Sequence, residues 1–230
     1  MNHRSVQFDP LDSPHPIPWN WVMATLTDVH SASVPQLHCY RSQSLISPDG
    51  QYAAYSRIQV QVYPEEPLRS RVSSVLFLEN LKTGSLQTLM PASPFSDNPF
   101  AGENQSELAG TIAVLIPIGW SKQSDRLLAR EFESIFCSDI ASDYAVIWDS
   151  ALNRVSTFAP TQIHYTNAVI LGWSQTYPNR VLFRTINMGE PDSALCAVDW
   201  SGQTVAAQDD QAIVFGQRVN SIWTGPQAKH

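Results

Sequence analysis

Apolar and polar positions alternate along much of this chain. Ile58, Val60 and Val62 alternate with Gln59, Gln61 and Tyr63, the period-two pattern of a strand with one face turned inward. Strands are also predicted over 51–56, 72–78 and 86–89. The turn between the last two runs from Asn80 to Gly84 and puts glycine where positive φ is needed. Read in order, this block is strand, strand, strand, strand. Two further blocks repeat the order. The second starts at Gly119-Trp120-Ser121, with strands over 126–132 and 144–148, a turn over 149–153 and a return over 155–158. The third starts at Gly172-Trp173-Ser174, with strands over 180–185 and 194–199, a Ser201-Gly202 turn and a return over 204–207. Such recurrence is the mark of a repeated β-sheet unit. The units span about 43–90, 117–159 and 170–208, and further strands fall within 212–224.

Residues 1–36 lie outside the pattern. The first eighteen are rich in Pro, Asp and His and read as a loose arm. Trp19, Val22, Met23 and Leu26 share one face at helical spacing, and Pro18 suits a first turn, so a short helix docked on the core is expected within 19–30. The β domain then occupies 37–230. Pro, Ser, Asn and Asp dominate from Pro91 to Gly110. This predicts a long loop with one helical turn near 103–109. Loops beyond about 12–15 residues are often functional.

Composition narrows the class. With 43% hydrophobic residues the chain can build a packed core, while 15% charged residues, 16 prolines and seven tryptophans suit short strands joined by loops. The net charge of −7 and the lack of a Lys/Arg cluster argue against nucleic acid as a partner. Arg57, Arg69 and Arg71 share one region, but Glu65 and Glu66 sit between them. Cys39, Cys137 and Cys196 form no Cys-x-x-Cys pair and read as free thiols of a reducing compartment. No apolar stretch is long enough for a signal peptide or a membrane span, so no membrane association and a cytoplasmic location are expected.

The segment Ser47-Pro48-Asp49-Gly50-Gln51-Tyr52-Ala53-Ala54-Tyr55-Ser56, followed by Val75-Leu76-Phe77-Leu78-Glu79-Asn80 and Gly84, resembles a TolB-type (WD40-like) β-propeller repeat. Trp120-Ser121 and Trp173-Ser174 resemble the Trp-Ser that opens the same motif, although both copies lack Pro-Asp-Gly. The resemblance covers residues 45 to about 207. It implies an all-β fold of four-stranded antiparallel blades, with the aromatic before Ser filling the wedge between neighbours. Three units fall short of the ~4–8 blades of known propellers. A small or incomplete propeller is therefore expected, with a fourth blade drawn from 37–40 or 212–223. Pairing with a second copy is the other way to cover open edges, so a homodimer is a second expectation.

Several motifs suggest chemistry and then fail on spacing. A nucleophile elbow needs Gly-x-Ser-x-Gly, but Gln123 and Thr176 replace the second glycine. Asp28, His30, His38 and Cys39 match no zinc spacing, and no phosphate-cradling glycine loop occurs. No metal, cofactor or catalytic residue is expected. Glu131, Glu133, Asp139 and Asp143 form an acidic stretch that reads as a solvated hairpin. The expected function is a non-catalytic scaffold that binds a protein partner through blade loops. The alternative is a hydrolase or small-ligand site using acidic residues in the propeller funnel. Candidate contact residues are Arg57, Tyr63, Arg69, Arg71, Phe95, Phe100, Glu131, Glu133, Phe136 and Asp139, with the aromatics as anchors.

Overall fold

The computed structural model describes residues 8–27, 34–96, 108–190 and 192–228. Phe100 and most of the turn expected near 103–109 lie outside them. Among the described residues one α-helix, α1 (Trp19–Thr27), precedes sixteen strands, with a 3-10 turn at Pro67–Arg69. Strands β1 (Gln36–Arg41), β2 (Ser44–Ile46), β3 (Tyr52–Val62), β4 (Arg71–Asn80) and β5 (Leu86–Leu89) form the first unit. The second holds β6 (Thr111–Trp120), β7 (Arg126–Ile135), β8 (Ala141–Asp149) and β9 (Arg154–Phe158). The third holds β10 (Asn167–Ser174), β11 (Val181–Ile186), β12 (Ser193–Val198) and β13 (Thr204–Ala206). A tail follows with β14 (Ala212–Ile213), β15 (Gln217–Val219) and β16 (Gly225–Pro226).

The fold is all-β. Each unit contains an antiparallel meander of four strands: β2-β3-β4-β5, β6-β7-β8-β9 and β10-β11-β12-β13. The first two units join in one 11-stranded sheet through a parallel bridge, Val72 to Ile112, while the third forms a 5-stranded sheet with β14. The two strands predicted over 51–62 are one continuous strand, β3. The strand that completes that meander is β2. Strand β1 extends the same sheet by pairing with β3 and β16, so it does not start a separate fourth sheet.

The Trp-Ser segments do not open strands. They close the first strand of each unit. Ser47, Ser121 and Ser174 follow or end β2, β6 and β10, and each caps the next turn in the same way. The Ser47 hydroxyl donates to Asp49 (2.6 Å) and accepts from the Tyr52 N–H (2.9 Å). Ser121 donates to Asp125 and accepts from the Arg126 N–H. Ser174 donates to Asp210 and accepts from the Tyr177 N–H. The turn after the third strand repeats as well. Asn80, Asp149 and Asp199 each accept two backbone N–H groups from the residues that follow, the local bonding that makes Asn and Asp turn formers.

The tail explains why the three first strands lie together. It pairs with the end of β10 at Trp173–Ile213, with β6 at Trp120–Phe215 and with β2 at Ile46–Gln217, two residues further along each time. Close approach demands glycine. A Cβ on Gly119 would lie 2.7 Å from the Val214 side chain, and one on Gly216 (φ 106°) would lie 2.7 Å from the Ile46 carbonyl oxygen. The repeated Gly-Trp-Ser is thus a packing device: glycine admits the tail and serine caps the turn. Trp120 is fully buried, between Tyr52 of the first unit (5.9 Å) and Trp148 of its own (6.3 Å).

The N-terminal segment meets all three units. Trp21 packs on Tyr40 of the first unit (5.1 Å) and Trp19 on Phe132 of the second (5.9 Å), while Arg184 of the third donates to the Leu11 and Asp12 carbonyls. Ile17 and Val22 enter the same core as Val60, Ile116, Phe132, Ile170 and Phe183. The residues from Phe8 to Pro18 are therefore anchored, against the expectation of a loose arm. No helix among the described residues is long and apolar enough to cross a membrane.

Candidate functional site: a cleft beside the N-terminal segment

A cleft of about 670 Å³ opens at the end of the units opposite the Trp-Ser turns. Its walls are the segment from Phe8 to Asp12, the exposed side of α1 at Trp19 and Met23, and the β7–β8 hairpin from Ser134 to Ala141. Ile112, Asn167 and Ile186, at the ends of β6, β10 and β11, complete it. The lining is mainly apolar, and large side chains remain uncovered: Phe8 is 62% exposed and Met23 40%. Asp12 and Asp139 stand exposed at the rim. Asn167 donates to the Ala141 carbonyl (2.6 Å), which fixes the hairpin to the third unit.

A buried ionic node holds this cleft in shape. Arg130, fully buried on β7, donates to Asp143 on β8 (2.7 Å), to Asp9 (2.7 and 3.2 Å) and to the His15 carbonyl (2.7 Å). Asp9 also accepts the N–H groups of Leu11, Ser13 and Ile17, and Asp143 accepts that of Ile170 on β10. Burial pushes the Asp9 carboxyl upward, but Arg130 and these amides outweigh it and hold it below the ordinary range. Burial dominates at Asp143 and lifts it to about 6 against the pull of Arg130. The His15 imidazole is held below its ordinary value by burial, while its Nε2 lies 3.0 Å from the Leu171 carbonyl. A buried charge persists when it is paired and hydrogen-bonded on every side. The node therefore reads as an anchor for residues 8–18.

Among the described residues, two of the expected contact residues meet at the cleft, Phe136 and Asp139. Phe136 is half-buried and donates its N–H to Gly110 (2.9 Å), while Asp139 is exposed at the hairpin tip. Arg57 and Arg69 are exposed on the β3–β4 hairpin, where Arg69 lies over the half-buried Tyr63 ring (5.3 Å) and pairs with Glu66. Arg71 is buried. Phe95 is half-buried and donates its N–H to Glu133 (2.8 Å).

The acidic hairpin is not solvated as expected. Glu131 and Glu133 are both buried, because both faces of β7 are covered. Burial raises both carboxyls above the ordinary range, Glu131 strongly and with Glu133 and Asp143 adding to it. Neither lines the cleft. No group of three or more His, Cys, Asp or Glu able to hold a metal occurs among the described residues. Cys39, Cys137 and Cys196 are free thiols. The cleft residues that sequence reasoning did not single out include Phe8, Leu11, Asp12, Ile112, Asn167 and Ile186. Trp19 and Met23 carried a signal, as part of the predicted helix stripe. A scan against protein families found no match for this chain, and a search of curated proteins found none either.

Proposed function

We propose that this chain is a three-unit, propeller-like scaffold that binds a protein partner without catalysis. Three four-stranded meanders with the same two turn chemistries support the propeller-like reading, as does the convergence of their first strands along one tail. The single observation that carries the binding role is the uncovered apolar wall at Phe8 and Met23, rimmed by Asp12 and Asp139. Apolar area of this kind marks contact sites, and an acidic rim on a chain of net charge −7 favours a basic partner. The occupant is a protein segment with one or two large apolar side chains flanked by Lys or Arg. Phe136 acts as an anchor and Asp139 as a charge partner.

Selection from a random peptide library tests this. Enriched peptides should combine an aromatic or aliphatic anchor with basic flanks. Their affinity should fall about tenfold or more with Phe8→Asp or Met23→Asp, exposed positions whose change spares the core. Asp139→Lys should weaken them further at low salt. Enrichment of acidic peptides, or binding insensitive to all three changes, would count against the cleft.

A second copy as partner is the other reading. It is favoured by the Ser221–Thr224 turn, where the Thr224 N–H bonds the Ser221 carbonyl (3.0 Å) and presents Ile222, 91% exposed, beside an exposed Trp223. Light scattering at micromolar concentration separates the two readings by mass.

A further inference from the structure

We infer that the cleft beside the N-terminal segment takes the Ser221–Thr224 turn of a second copy of this chain, in a head-to-tail contact. The contact rests on the binding role proposed for the cleft and names what fills it.

The turn has the chemistry that the cleft calls for. Ile222 is 91% exposed and Trp223 63%, so neither enters the cleft of its own chain. Large apolar side chains held out in water mark a contact site, and one tryptophan can bury about 150–250 Å². The turn is also fixed in place. The Ser221 hydroxyl oxygen accepts from the Arg41 guanidinium (3.0 Å) and from the Trp223 N–H (3.2 Å), while the Ser221 N–H donates to the Thr224 hydroxyl (2.9 Å). The side-chain amides of Gln227 and Gln43 donate to the Trp223 carbonyl (2.7 Å) and to Asn220 Oδ1 (2.8 Å). A turn ordered before it docks loses little freedom on docking.

Charge pairs the two surfaces. Residues 211–230 contain no Asp or Glu. Arg41 and Arg218, beside the turn, have no carboxylate partner among the described residues. Arg41 donates to the Ser42 carbonyl and to the Ser44 and Ser221 hydroxyls, and Arg218 donates to the Pro117 carbonyl. The cleft is the reverse. No Lys or Arg lines it among the described residues. Asp12 and Asp139 are exposed at its rim, and their carboxylates make no hydrogen bond or ion pair among the described residues. A basic collar around two apolar anchors therefore meets an acidic rim around an apolar wall. The same charges disfavour turn against turn and cleft against cleft.

The symmetry follows from this pairing. Turn and cleft are different surfaces, and each copy carries one of each, so the contact closes into a ring or continues as a chain. Two anchors in one cleft belong with the small, transient interfaces of less than about 1,200 Å², so the association is weak and shows at high protein concentration.

Light scattering of mixed variants tests the pairing. The wild type should exceed the mass of one chain as its concentration rises. Met23→Asp breaks the cleft and Trp223→Asp breaks the turn, both at exposed positions, and urea unfolding confirms that each variant folds. Each alone should stay at one chain, with a dissociation constant raised about tenfold or more. Their equimolar mixture should reach the mass of two chains and no more, because the first keeps a sound turn and the second a sound cleft. A wild type that stays at one chain up to millimolar concentration overturns the inference. So does a folded pair of variants that stays at one chain when mixed, or a Met23→Asp protein that associates like the wild type, which means turn against turn. Should peptides selected on the cleft still bind in those cases and weaken with Met23→Asp, the cleft keeps its role with a foreign partner and only the second copy is excluded.

Discussion

The two seams between neighbouring units are built from equivalent strands and held by different physics. In the first, β4 lies beside β6, and the link is small and neutral. The buried Ser74 hydroxyl accepts the Leu115 N–H (2.6 Å) and donates to the Ala113 carbonyl (3.4 Å), while Trp120, Tyr52 and Trp148 fill the far end. In the second, β8 approaches β10, and a carboxylate takes the place of the hydroxyl. Asp143 accepts the Ile170 N–H (2.9 Å), and Ser142 accepts that of Ala168 (3.2 Å). Asp143 in turn needs Arg130, and Arg130 needs Asp9. Choosing a carboxylate at this seam thus drags the N-terminal segment into the core. One substitution of chemistry at equivalent positions explains why residues 8–18 pack although their composition reads as loose.

Removing the charge partner should produce the largest effect. Arg130→Met leaves Asp9 and Asp143 buried without their cation and should destabilise the fold by about 3–5 kcal/mol. Ser74→Ala in the first seam loses one buried acceptor and should cost about 1–3 kcal/mol. Urea unfolding of both variants measures the gap. Hydrogen exchange locates it: Arg130→Met should raise exchange at Leu11, Ser13 and Ile17, whose N–H groups Asp9 accepts, and Ser74→Ala should not. Equal losses in the two variants would mean that the seams are energetically alike.

The tail crosses both seams, so Gly216 within it and Gly119 of β6 facing it probe them jointly. Gly119→Ala brings a methyl to 2.7 Å from the Val214 side chain, which is 44% exposed and able to yield. Gly216→Ala meets the Ile46 carbonyl and the Trp120 ring from a φ of 106° and has no such relief. Overpacking of this kind costs about 1–3 kcal/mol, with Gly216→Ala at the upper end. In a double-mutant cycle Val214→Gly should recover part of the Gly119→Ala loss and none of the Gly216→Ala loss. An uncoupled Gly119–Val214 pair would break the account of Gly-Trp-Ser as a tail-packing device.

How much of this was legible depended on how local each signal was. The turns at Asn80–Gly84, 149–153 and Ser201-Gly202 were readable because Asn, Asp and Gly act on their own backbone within a few residues. Strand β6 was not, since Thr111–Trp120 is buried along its whole length and shows no alternation. A continuous apolar run does not declare which unit it belongs to. The Trp-Ser segments were recognisable as equivalent and read as the openings of their units, whereas they end the first strands, β6 and β10. What fixes them is the tail, about forty residues past Trp173 and almost a hundred past Trp120. The cleft was half legible. Phe136 and Asp139 stood out locally, whereas Phe8 and Leu11 reach it only through Asp9 and Arg130, 121 positions apart. Glu131 and Glu133 misled because alternation on β7 shows which residues share a face, not that both faces are covered.

Glu131 gives the finest test of the contrast between the seams. It sits one residue from Arg130 on the opposite face of β7, and its Oε2 is buried with no hydrogen-bond partner. The guanidinium that neutralises Asp143 does nothing comparable for it, and its carboxyl is pushed well above the ordinary value of 4.5 by burial, then by Glu133 and Asp143. The folded state therefore holds this proton over a pH range in which the unfolded chain has lost it. Stability must fall as pH rises above the ordinary glutamate range, with a slope of up to about 1.4 kcal/mol per pH unit, until the folded carboxyl ionises. Glu131→Gln keeps the shape and removes the titration. It should match the wild type near pH 4 and exceed it progressively at higher pH, when unfolding free energies are measured in urea across that range. A constant difference between the two proteins at all pH values would mean that the Glu131 carboxyl holds its proton equally well folded and unfolded, and would erase the distinction between the two faces of β7.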